Sequence, residues 1–135
     1  MATHELGIIL HGATGGICST QHLHNTLVPI RAEGGLVIGN DTIMPNLLLV
    51  GRNSERLAAL ASEIGGVEWT TDLDAALNNP SYPIFFDAAA THLRLDLLKR
   101  AIAAGKHIYT EKPLAPSVDD GLSLLKAAEA NGLKH

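Results

Sequence analysis

The sequence has little of the features that define several protein classes. Cys18 is the one cysteine among 135 residues, so no disulfide can form within the chain. No apolar run approaches the roughly 20 residues that cross a bilayer, and the first ten residues lack the charged leader and long apolar core of a signal peptide. We therefore expect a cytoplasmic location and no membrane partner.

Charge is also scarce. Charged residues make up 18% of the chain, and the formal net charge is −4, which leaves no basic stripe for a nucleic-acid backbone. We expect a small-molecule partner instead. His22 and His24 are two apart on a predicted helix and point in different directions, so we predict no metal site. The hydrophobic fraction of 46% indicates one folded domain with its own core.

Strand and helix signals alternate along the whole chain. Short apolar runs typical of strands occur at 6–10, 46–50, 67–70, 84–86 and 107–109. Helical periodicity or helix start and stop signals occur at 16–31, 54–64, 73–77, 93–104 and 117–131. Residues 32–45 are predicted to form a loop or hairpin insertion. The pattern predicts an α/β protein with a doubly wound parallel sheet in three layers, with helices on both faces.

A glycine-rich turn follows the first predicted strand and opens the first helix. A turn of this kind lets backbone N–H groups approach a pyrophosphate, which the positive end of the helix stabilises. The alternative is a simple strand-to-helix connection, and Cys18 stands where a glycine or alanine normally allows close packing. The predicted cofactor-binding residues of the turn are Gly12, Ala13, Thr14, Gly15, Gly16 and Ile17.

Arg52 and Asn53 follow the second predicted strand. An NAD site has a carboxylate at this place to bind the ribose 2′-OH, whereas a guanidinium suits the 2′-phosphate of NADP. The sequence therefore predicts NADP as the preferred cofactor, with NAD as the alternative. In the competing interpretation, Arg52 is a solvated charge and Asn53 only a helix cap. The separation from the glycine turn is about twice the usual ~20 residues, which we attribute to the insertion.

The most specific feature is the loop Glu111-Lys112-Pro113, which leaves the fifth predicted strand after Ala-Gly-Lys-His-Ile-Tyr-Thr. Ligands of open parallel sheets bind at the carboxyl ends of the strands, where this loop must lie. Taken alone, the segment could be a surface ion pair followed by a loop proline.

Taken together, these residues resemble the N-terminal domain of the Gfo/Idh/MocA family of NAD(P)-dependent oxidoreductases. The resemblance implies a Rossmann-type fold, truncated here at the sixth strand. It also implies hydride transfer between NADP or NAD and a hydroxyl-bearing carbon of a sugar, polyol or related compound. It also implies that Lys112 is catalytic and that Glu111 orients neighbouring groups. Pro113 would fix the loop through a Lys-Pro bond that is often cis in the family. Glu111, Lys112, Pro113, Ala88 and Ala89 are therefore included among the cofactor-binding residues.

Two departures from the family pattern limit this interpretation. The family's Ala-Thr-Pro and following His are replaced by Ala88-Ala89-Ala90 and Arg94, so the wall beside the nicotinamide is predicted to differ. The family also continues into a substrate and dimerisation domain, so we interpret residues 1–135 as the cofactor domain without it, able to form homo-oligomers. We expect an exposed sheet edge that tends to associate.

Two other functions are compatible with a Rossmann domain. One is a non-catalytic NAD(P)-binding module or sensor. The other is an epimerase or short-chain reductase, which would need a Tyr-x-x-x-Lys pair. No tyrosine here has a lysine four residues later, which argues against the second.

Overall fold

The computed structural model describes residues 1–135. It has one six-stranded sheet, with strands β1 (Thr3–His11), β2 (Leu36–Ile38), β3 (Asp41–Val50), β4 (Glu68–Thr70), β5 (Ile84–Asp87) and β6 (His107–Thr110). Apart from β2, the strands pair in parallel in the order β4-β3-β1-β5-β6. This is the order of the first five strands of a Rossmann fold, so the predicted fold class is confirmed.

Four helices connect the strands, and a fifth follows β6. Helix α1 begins as a π-helix, Cys18–Leu27, and continues as the α-helix Val28–Ala32. The others are α2 (Ser54–Glu63), α3 (Leu73–Asn78), α4 (Arg94–Ala103), which follows a 3₁₀ turn at Thr91–Leu93, and α5 (Val118–Ala130). Asn53, Asp72 and Ser117 cap α2, α3 and α5 by accepting hydrogen bonds from backbone N–H groups of the first turn. None of the helices is long and apolar enough to cross a membrane.

The insertion at 32–45 is a hairpin, one of its two predicted forms, and it adds one antiparallel strand to the sheet. Strand β2 runs antiparallel to the first residues of β3, with Ile38 opposite Asp41. The two-residue connection begins at Gly39, whose φ is +62°, a conformation that hairpin turns need and that glycine adopts without strain. The hairpin also explains why β3 begins at Asp41, five residues before the predicted strand.

Two hydrophobic clusters lie on opposite faces of the sheet. Alternate residues of β3 divide between them, since Leu47 and Leu49 join one cluster while Leu48 and Val50 join the other. Helices α1 and α2 cover the first face through residues such as Leu57, and α3, α4 and α5 cover the second. The predicted three layers are thus present, and the carboxyl ends of β1, β3 and β5 meet at one side of the molecule.

Candidate functional site

A groove of about 980 Å³ lies at the carboxyl ends of the central strands. Strand β1 has β3 on one side and β5 on the other, so the groove lies at the point where the strand order reverses. This is the usual ligand site of such sheets. Seven of the predicted cofactor-binding residues line it: Gly12, Thr14, Gly15, Arg52, Asn53, Ala88 and Ala89.

The backbone of the glycine turn divides into occupied and free donors. The N–H groups of Gly12 and Ala13 donate to the Val50 carbonyl at 3.0 and 3.3 Å, and Gly15 donates to the Gly12 carbonyl at 3.0 Å. These three groups are not available to a ligand, and the Ala13 side chain is fully buried. The N–H groups of Thr14, Gly16 and Ile17 donate to nothing within the chain, so they can bind an anion at the start of α1.

Gly12 is the residue that brings the turn against the loop after β5. Its φ is +77°, and a Cβ atom at this position would lie 2.7 Å from the N and Cα atoms of Ala89. Any side chain at Gly12 would therefore push the two walls of the groove apart.

Cys18 is buried at the beginning of α1, among the apolar side chains of the α1–α2 face. Burial, together with the negative charges of Asp87 and Glu111, raises the pKa of its thiol to about 12. The thiol is thus protonated and unreactive, which agrees with its interpretation as a packing residue.

Arg52 and Asn53 line the groove where β3 ends, beside the glycine turn and on the side away from Ala88 and Ala89. The Asn53 side chain accepts a hydrogen bond from the Arg56 N–H at 3.0 Å, so it does cap α2, and its Nδ2 group has no partner within the chain. Arg52 is exposed and forms no hydrogen bond or ion pair. Arg56, in the first turn of α2, also lines the groove and was not predicted.

Below the groove, a buried ionic network connects β5 to the loops. The fully buried Asp87 carboxylate accepts hydrogen bonds from Arg94 Nε at 2.8 Å and the Ala89 N–H at 3.1 Å, and lies 3.4 Å from His11 Nδ1. Burial alone would raise the pKa of Asp87. The hydrogen bonds from His11, Arg94 and the Ala89 N–H, with the charge of Arg94, outweigh it and lower the pKa. Asp87 is therefore held as a carboxylate.

Arg94, one of the departures from the family pattern, joins two loops. Its Nη1 donates to the Pro113 carbonyl at 2.7 Å, and its Nη2 donates to the Ala89 carbonyl at 3.0 Å. The side chain is buried and does not line the groove. Arg94 thus ties the loop after β5, which lines the groove, to the loop after β6.

The loop after β6 is held at several points. The Glu111 N–H donates to the Asp87 carbonyl at 2.9 Å, and the Lys112-Pro113 peptide bond is cis, as the resemblance implies. The Glu111 carboxylate lies 2.5 Å from His22 Nε2, and this hydrogen bond lowers the pKa of Glu111. The side chain of Lys112 is exposed and its ammonium group has no partner within the chain. Glu111, Lys112 and Pro113 do not line the groove itself.

The sequence of this chain is similar to a known protein family and to several characterised enzymes. Residues 40–135 match the model of the Gfo/Idh/MocA oxidoreductase family, described as an NAD-binding Rossmann fold. The chain belongs to this family. It is 39% identical over 127 residues to a D-xylose dehydrogenase of Paenarthrobacter nicotinovorans, covering 93% of this chain and 33% of that protein. It is 30% identical over 104 residues to a 1,5-anhydro-D-fructose reductase of Ensifer adhaerens, covering 77% and 28%.

Solved structures agree on the fold. A levoglucosan dehydrogenase in complex with NADH and levoglucosan superposes with a TM-score of 0.79 at 22% identity, over 98% of this chain and 34% of that one. A 3-ketoreductase of Actinomadura kijaniata, in complex with NADP and TDP-benzene, gives 0.76 at 20% identity, over 96% and 36%. The chain spans about a third of the length of the relatives that it matches.

No group of three or more His, Cys, Asp or Glu side chains lies close enough to hold a metal ion. His22 contacts Glu111 instead, and His24 lies 3.5 Å from Glu63 on the exposed surface. The first of these contacts joins residues 89 positions apart, so no local pattern in the sequence indicates it.

Proposed function

We propose that residues 1–135 form the NADP(H)-binding domain of an oxidoreductase that acts on a hydroxyl-bearing carbon of a sugar or polyol. The strongest support is the glycine turn, where three unused N–H groups lie at the start of α1. The named relatives act on D-xylose or 1,5-anhydro-D-fructose, which favours a sugar as the small-molecule substrate. The substrate-binding half would belong to the rest of a longer, cytoplasmic and homo-oligomeric protein.

The glycine turn and the residues that line the groove are suited to bind the successive parts of a dinucleotide. The N–H groups of Thr14, Gly16 and Ile17 would hold the pyrophosphate, and a Cβ atom added to Gly16 would meet open space, which leaves room for phosphate oxygens. Arg52 would pair with the 2′-phosphate of NADP, supported by the nearby Arg56. Ala88 and Ala89, which follow β5 on the other side of the glycine turn from Arg52, would form the wall beside the nicotinamide.

The chemistry divides between the cofactor and Lys112. A bound nicotinamide supplies the hydride acceptor or donor. When a hydroxyl carbon is oxidised, its O–H proton must also leave. The exposed Lys112 side chain, acting in its amine form, would accept this proton, and the ammonium so formed would stabilise the negative charge on the oxygen and release the proton to solvent. Glu111 and Pro113 would hold Lys112 in position through the contacts with His22 and Arg94.

Calorimetric titration with NADPH and NADH tests the cofactor assignment on the 135-residue chain. A charge-assisted contact contributes about 1.5 to 3 kcal/mol, so NADPH should bind at least about tenfold more tightly. Arg52→Asp should reverse the preference, because a carboxylate repels the 2′-phosphate and binds the ribose hydroxyls.

Lys126→Asp is the matched control, since it makes the same change of formal charge on the exposed surface of α5, away from the groove. We expect it to leave the ratio of the two affinities unchanged. Equal affinities for NADPH and NADH in the unmodified chain would contradict the role of Arg52. Tight binding of both cofactors without turnover in the longer protein would favour the non-catalytic module.

A further inference from the structure

His22 and Glu111 form the closest of the four histidine–carboxylate contacts in the chain. The two side chains are 20% and 21% exposed, and their Nε2 and Oε1 atoms are 2.5 Å apart. The surface pairs His4–Asp41 and His24–Glu63 are separated by 3.7 and 3.5 Å, and both include a side chain that is more than half exposed. Exposed ion pairs contribute little, whereas a short, largely buried hydrogen bond holds its partners in one geometry.

The surroundings of His22 fix the direction in which its ring points. The ring packs on Phe86 of β5 with a centroid distance of 4.7 Å, and Phe86 stacks in turn on Tyr109 of β6. His22 lies in the π-wound part of α1, and π-helical segments are often found at functional sites. The imidazole is thus directed from the helix across the sheet toward the loop after β6.

The same helix begins at the unused N–H groups of Gly16 and Ile17. His22 therefore connects the anion-binding end of α1 to the loop that carries Lys112. Apart from this contact, the loop is held from below by the Glu111 N–H and by Arg94 on the Pro113 carbonyl. On the α1 side of the sheet, the loop is held by the contact between His22 and Glu111.

We propose that His22 is a positioning residue for Lys112. It holds the Glu111 carboxylate against α1 and thereby fixes the Lys112 loop relative to the glycine turn. The inference rests on the proposed function in so far as Lys112 acts beside the cofactor. His22 itself touches neither cofactor nor substrate in this role.

Amide hydrogen exchange of the ¹⁵N-labelled 135-residue chain tests the proposal in the absence of cofactor. His22→Phe keeps a ring against Phe86 and removes the hydrogen bond, whereas His22→Gln restores a donor. We expect exchange at the Glu111 amide to accelerate at least about tenfold in His22→Phe, because local opening of the loop then breaks one contact fewer. His22→Gln should remain within about threefold of the unmodified chain, as a charge-assisted hydrogen bond is retained.

His24→Phe is the matched control, since it makes the same change two residues later on α1 and should leave loop exchange unchanged. Unaltered exchange in His22→Phe, or failure of His22→Gln to restore protection, would overturn the proposal. Amides of β1 and β3 monitor the fold in every variant. If His22→Phe unfolds the chain, His22→Gln alone decides, because loss of loop protection in that variant contradicts the proposal.

A second experiment separates this inference from the proposed function. In the NADPH complex, contacts between the Lys112 side chain and the nicotinamide protons are measured as nuclear Overhauser effects. We expect them in the unmodified chain and in His22→Gln, and we expect them to weaken in His22→Phe. Their absence from the unmodified chain would contradict the role of Lys112, whereas the exchange measurement would still decide whether His22 orders the loop.

Discussion

Replacing Arg94 by Met is the perturbation that tests the buried network beneath the groove. Met fills much of the same volume but removes the donors to Asp87, Ala89 and Pro113. Removing one partner of a buried ion pair typically costs about 3 to 5 kcal/mol, because the remaining charge stays buried without compensation. His11 and the Ala89 N–H still contact Asp87, so we expect a loss at the lower end, about 3 kcal/mol.

Urea unfolding followed by circular dichroism measures this loss at pH 7. Arg100→Met is the matched control, since Arg100 lies on the same helix and pairs with Asp74 at the exposed surface. Exposed pairs contribute about 0 to 1 kcal/mol, so this variant should unfold almost like the unmodified chain. A loss below about 1 kcal/mol in Arg94→Met would refute the account of the network, because the ion pair of Arg94 would then contribute no more than an exposed ion pair does.

The pH dependence provides an independent check. Folding lowers the pKa of Asp87. The stability that the Asp87 carboxylate contributes is therefore complete above about pH 4, the pKa of an aspartate in the unfolded chain. It decreases as the pH falls through the lower pKa that Asp87 has in the folded chain. The difference between the unmodified chain and Arg94→Met should therefore be largest near neutral pH and shrink in acid. Adding Asp87→Asn to Arg94→Met should recover about 1 kcal/mol or more, because the uncompensated charge is removed.

Three further predictions concern the groove and its surroundings. Gly12→Ala should weaken NADPH binding by at least about tenfold, because its Cβ would lie 2.7 Å from Ala89. Gly16→Ala should change the free energy of unfolding in urea by less than about 1 kcal/mol, because a Cβ at that position meets open space. Cys18 should not react with a thiol reagent in the folded chain and should react on unfolding, since burial raises its pKa to about 12; rapid native labelling would contradict its packing role. In the longer protein, Lys112→Met should lower kcat by about 10² or more with NADPH affinity changed less than about tenfold, as stopped-flow hydride transfer and titration would show.

Local sequence patterns predicted most elements of this fold. The alternation of apolar strands with helical segments indicated the doubly wound sheet, and the structure shows that Asp72 and Ser117 cap two of these helices. The sequence did not decide between a loop and a hairpin at 32–45, because the glycines of this segment are compatible with both. Only the pairing of β2 with β3 decides between them, and pairing depends on tertiary contacts.

The candidate site was predictable in its residue types but not in its connections. The sequence indicated the glycine turn, but it could not indicate that Gly12 and Ala13 use their N–H groups on Val50. It marked Arg94 as a departure and predicted an altered wall, whereas the side chain is buried and joins two loops. Such contacts join residues that only folding brings together.

Titration of the ¹⁵N-labelled chain with NADPH tests most directly whether this groove holds a nicotinamide cofactor. We predict saturable amide shifts at Thr14, Gly16 and Ile17, whose N–H groups have no partner within the chain, and at Arg52, which lines the groove after β3. With NADH, the shifts at the glycine turn should persist and those at Arg52 should be smaller. Absence of saturable shifts at the glycine turn, or shifts confined to residues outside the groove such as those of α5, would contradict the assignment.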